Sequence, residues 1–61
     1  MTTFIIIADE IGYRSAQFLN FGDCRDFIEN SKVLDKVNSF KVIEQRPGYI
    51  MEREYSRIII K

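Results

Sequence analysis

The sequence predicts a two-layer α+β domain in which four strands and one helix follow one another as β-β-α-β-β, the helix packed on one face of a four-stranded sheet. Three observations carry this expectation. Phe4-Ile5-Ile6-Ile7-Ala8 is an apolar run rich in β-branched residues and closed by Asp9 and Glu10, the pattern of a central strand covered on both faces. Cys24, Phe27 and Ile28 recur at helical spacing just after Asp23. Residues 39–45 alternate between the two faces of a strand and run into Arg46-Pro47-Gly48-Tyr49, where proline and glycine occupy turn positions.

Each element has its own local signal. Asp9-Glu10-Ile11-Gly12 carries turn chemistry, with Gly12 free to adopt positive φ, and reverses the chain into residues 13–20. That segment is expected to be a strand, although its alternation is imperfect; a helix ending at Gly22 is the competing reading. Asp23 is the expected N-cap of the helix, since its carboxylate suits the backbone N–H groups of the first turn. The helix weakens near Ser31, which is placed to cap a separate turn through Val33 and Leu34. The final strand is read over residues 50–61 and ends in Ile58-Ile59-Ile60, a second isoleucine triplet. Matching the two triplets puts the first and last strands side by side in the middle of the sheet.

Composition narrows the function classes. At 61 residues the chain has room for one core, so residues 1–61 form a single domain, and a domain this small gains from a disulfide, a metal or a partner. Cys24 is the only cysteine, which rules out an internal disulfide and favours a cytoplasmic setting. Histidine is absent, removing the commonest metal ligand and the usual proton shuttle near neutral pH. The apolar start is shorter than a signal-peptide core and runs straight into acids, so neither targeting nor membrane insertion is expected. Nine basic residues balance nine acidic ones, leaving no global field to attract a polyanion.

The acids do not assemble into a catalytic pair. Glu44, Glu52 and Glu54 surround a hairpin tip that should be exposed, whereas acid–base work needs partly buried carboxyls with divided pKa values. Asp9 and Glu10 lack the alternating oxygen spacing of a calcium loop. Cys24 sits near a helix start but between Asp23 and Asp26, with no base to deprotonate it, and reads as a buried apolar residue. Gly12, Gly22 and Gly48 are scattered and build no phosphate loop. No catalytic residue, cofactor or metal ligand is therefore assigned, and the chain is expected not to be an enzyme.

The sharpest candidate is one face of the last strand, where Arg53, Tyr55, Arg57 and Ile59 share a parity. With Ile58 and Ile60 turned toward the helix, these four fall on the open sheet face, and arginine and tyrosine are enriched at binding hot spots. The bland account is a solvated face whose arginines pair with Glu10 or Glu44 across strands. The functional expectation is a small interaction or regulatory module, of the accessory kind that phages and mobile elements often carry, binding a partner protein or a second copy of itself. The isoleucine triplets support it, because one helix cannot hide both faces of a sheet. The alternative is a single-stranded nucleic-acid platform that stacks bases on tyrosine, which the neutral charge disfavours.

Overall fold

The computed structural model describes residues 1–56. Four strands form one antiparallel sheet: β1 (Thr3–Ala8), β2 (Tyr13–Arg14), β3 (Ser39–Arg46) and β4 (Tyr49–Ser56), with a single helix, α1 (Phe21–Asn30), between β2 and β3. The two-layer α+β architecture is as expected, and the strand order is β2-β1-β3-β4.

That order corrects the expected arrangement. The first strand is central, but its neighbour is β3, and the last strand lies at the edge. The pairing chemistry explains why. Across β1 and β3, Ile5 faces Ile43 and Ile6 faces Val42, the β-branched pairs that a sheet interior favours. By contrast, β4 reads Met51-Glu52-Arg53-Glu54, with charge on both faces, which suits an edge that must not recruit foreign strands. The second isoleucine triplet lies outside the described residues, as do Arg57 and Ile59.

The turns behave as their residues demand. Gly12 takes φ 64° at the end of a short 3-10 turn over Asp9–Ile11, and Gly48 takes φ 74° in the β3–β4 hairpin, both in the left-handed region open to glycine.

The segment after Gly12 is a strand for only two residues, and the cause is a bulge. Ile7 pairs with Arg14, yet Phe4 bridges Phe18, so this side of the ladder holds one extra residue. Ser15 still keeps the Ile7–Arg14 register, and the extra residue follows it. The Ser15 hydroxyl accepts from the Ile6 N–H at 2.8 Å and donates to the Ala16 carbonyl at 2.8 Å, while its own N–H donates to the Ile6 carbonyl at 2.9 Å. The chain then steps out at Ala16 and Gln17, and Phe18 rejoins β1 through two backbone bonds with Phe4 of 2.9 and 2.8 Å.

Helix α1 begins earlier than Asp23. Asn20 is the cap: its Oδ1 accepts from the Asp23 N–H at 2.8 Å, and its Nδ2 donates to the Asp23 carboxylate at 3.2 Å. Asp23 serves in the first turn, where the helix dipole favours an acid. At the other end Ser31 is the C-cap, and its hydroxyl accepts from the N–H groups of Val33 and Leu34, starting the separate turn at Leu34–Lys36.

One core fills the space between sheet and helix: Phe4, Ile6, Ala8, Cys24, Leu34, Val37, Phe40 and Val42, with Phe18, Phe27, Ile28 and Tyr55 packed against it. Phe27 stacks on Tyr13 and leans on Phe18, with ring centroids at 6.4 and 5.4 Å, so α1 sits over the β1–β2 side. Leu34 and Val37, both buried, add to the same core from the connection to β3. The part of this face over β3 and β4 near Glu44 and Met51 is left open.

Candidate functional site

The open part of the helix-bearing face is a groove of about 250 Å³ between the first turn of α1 and β4. Its lining follows from the register. Val42 pairs with Arg53, Glu44 with Met51 and Phe40 with Tyr55, so one face of the hairpin presents Val42, Glu44, Met51, Arg53 and Tyr55 together. Phe4 from β1 and Phe21 from α1 complete the lining. Phe21 packs edge-on against Phe4, with centroids 5.7 Å apart and planes at 64°, yet remains 47% exposed. A large ring so exposed, beside an apolar floor, is the site's most accessible hydrophobic surface.

Two opposite charges stand on the rim. Glu44 and Arg53 are diagonal neighbours on the same face, but no ion pair within 4 Å joins them. The Arg53 Nε donates instead to the Met51 sulfur at 3.4 Å. Among the described residues neither charge is taken up by an ion pair.

The sequence places Arg53 and Tyr55 on the open sheet face; the structure puts them on the helix-bearing face. Tyr55 stacks on Phe40 at 5.5 Å and 14° and packs against the core, because Phe40 and Val42 point toward the helix and carry their cross-strand partners with them. The four-residue candidate set is thus split: Arg53 and Tyr55 line the groove, and Arg57 and Ile59 lie outside the described residues. Sequence reasoning missed Phe4, Phe21, Val42 and Met51 as lining residues. Of these, Met51 carried a signal, since it shares the strand parity of Arg53 and Tyr55.

The opposite face presents Ile5, Ile7, Lys41, Ile43, Glu52 and Glu54, with Arg14 and the 67% exposed Ile50 at its margins. Ile6 points into the core, and on this outer face Ile5 is itself buried at 7% exposed, so the accessible apolar surface comes from the half-buried Ile7 and Ile43. By strand parity this face carries no aromatic ring among the described residues, so the tyrosine platform needed for base stacking does not form there.

The other singled-out residues have structural partners. Lys41 reaches the carboxylates of Asp9 and Glu52 at 3.8 and 3.9 Å, and the Glu10 carboxylate accepts from the Asn38 N–H at 3.1 Å. Glu44 is half-buried along the groove instead of exposed at the hairpin tip, while Glu52 and Glu54 are exposed. Cys24 is fully buried, and burial pushes its thiol pKa up, away from the reactive thiolate. A second, wider hollow of about 680 Å³ lies by the hairpin turn, where the Arg46 guanidinium already covers the Tyr49 ring at 4.1 Å. Among the described residues, no helix is long and apolar enough to cross a membrane.

No protein-family model, curated protein or solved structure matches this chain.

Proposed function

We propose that this chain is a small non-enzymatic interaction module, regulatory or accessory in role, that binds a partner protein by taking an apolar side chain of that partner into the groove between α1 and β4. The observation that carries this reading is the groove itself: an apolar floor of Phe4, Val42 and Met51, an exposed aromatic wall at Phe21, and charges at Glu44 and Arg53 that form no ion pair among the described residues. Interfaces that hold a partner firmly centre on a desolvated apolar pocket in which aromatic and arginine side chains serve as anchors. Glu44 and Arg53 set the orientation of the incoming segment, since a cation is drawn to one and a carboxylate to the other. The cytoplasm is the proposed setting, supported by a buried thiol with no partner cysteine.

Phe21→Asp is the test. Residue 21 occupies the first turn of α1, where an acid complements the helix dipole, so the variant keeps the fold while removing the aromatic wall. Affinity capture from the host lysate with the native chain is expected to retain a discrete protein that Phe21→Asp loses. Retention unchanged by the substitution would refute the groove as the binding surface.

A further inference from the structure

The sheet face away from α1 has an ordered distribution of charge. Reading across the strands, one row runs Arg14, Ile7, Lys41, Glu54, and the next runs Ile5, Ile43, Glu52 from β1 to β4. On this face β2 contributes one cation, Arg14, and β4 two carboxylates, Glu52 and Glu54, with the isoleucines between them. Lys41, in the middle, already has its charge compensated by Asp9 and Glu52.

From this order we infer that the face binds a second copy of the same chain, the two sheets stacked about a two-fold axis parallel to the strands. That operation reverses the strand order of one sheet over the other. Arg14 of each copy then comes over the Glu52–Glu54 edge of the other, and the half-buried Ile7 and Ile43 supply the apolar centre, since Ile5 is already buried at 7% exposed. A two-fold axis in the sheet plane but across the strands would stack Arg14 on Arg14 and acids on acids, so the charge pattern selects one of the two face-to-face arrangements. Sheets stack about 10 Å apart, a gap that arginine and glutamate side chains span together. From strand spacing and rise the patch is roughly 20 Å on a side, smaller than a standard interface, so the association expected is weak, in the micromolar range.

None of the residues that carry the argument, Arg14, Ile7, Ile43, Glu52 and Glu54, lines the groove, and the inference stands apart from the proposed partner binding. Sedimentation equilibrium of the full chain, from low micromolar to near-millimolar concentration, reads it directly. The native chain is expected to reach a monomer–dimer equilibrium. Arg14→Glu and Glu54→Arg are both exposed substitutions, checked for native circular dichroism, and each alone is expected to weaken dimerisation by about tenfold or more. Mixed together, they restore a heterodimer near native affinity, because each reversed charge then meets its complement. A chain that stays monomeric throughout, a dimer indifferent to both substitutions, or a mixture that fails to recover association would each overturn the proposal.

Discussion

The rings of Phe40 and Tyr55 lie nearly parallel, 5.5 Å between centroids and 14° between planes, across the β3–β4 hairpin. This contact assigns the faces of β4: it pins Tyr55 to the core and, two residues along, sets Arg53 at the groove rim. The two side chains therefore differ in energetic weight. Tyr55→Ala is expected to cost about 2 kcal/mol of stability, since it removes a half-buried aromatic with a stacking partner. Arg53→Ala, at an exposed site, is expected to change stability by under about 0.5 kcal/mol. Urea denaturation of the two variants measures both; equal effects would mean that Tyr55 is not a core residue.

Ser15 is expected to be the most sensitive polar position. It is buried, and its hydroxyl is the acceptor for the Ile6 N–H in the central strand. Ser15→Ala leaves that donor without its partner, at an expected cost of about 1–3 kcal/mol. Hydrogen exchange at the Ile6 amide should accelerate in the variant, and an unchanged rate would show that the hydroxyl does not protect it.

Much of the fold was legible because its signals are local. The helical stripe of Cys24, Phe27 and Ile28, the Pro47-Gly48 hairpin and the positive φ at Gly12 each depend on a few neighbouring residues. What escaped depends on distant pairings. Tyr13 and Phe18 differ in parity, yet both pack on the core, because a bulge lies between them; this is why residues 13–20 alternate imperfectly. Asp23 suits a cap because its carboxylate can accept from first-turn N–H groups, but Asn20 offers the same chemistry three residues earlier, and the helix starts there. The β1–β3 pairing competed with a pairing of the two isoleucine triplets, and local pattern does not rank the two. Once β3 is central, the face carried by Arg53 and Tyr55 follows from Phe40 and Val42.

Cys24 offers a chemical probe of the core. Its full burial predicts slow reaction with a thiol reagent in the native state and fast reaction in denaturant. Its raised pKa also fixes the sign of a pH effect. Above the ordinary thiol range the unfolded chain releases the proton that the native chain retains, so stability present at neutral and lower pH declines as the solution turns alkaline. The urea midpoint of the native chain should therefore fall more steeply in alkali than that of Cys24→Ala. Parallel profiles would contradict the assignment.

The central claim is that the groove between α1 and β4 receives another protein. The most direct measurement replaces Met51, in the groove, or Glu29, on the exposed side of α1, with a photo-crosslinking residue and irradiates cells expressing each. The account predicts a discrete adduct from position 51 that is absent from position 29 and lost when Phe21→Asp is added. No adduct at position 51, or the same adduct from both positions, would contradict it.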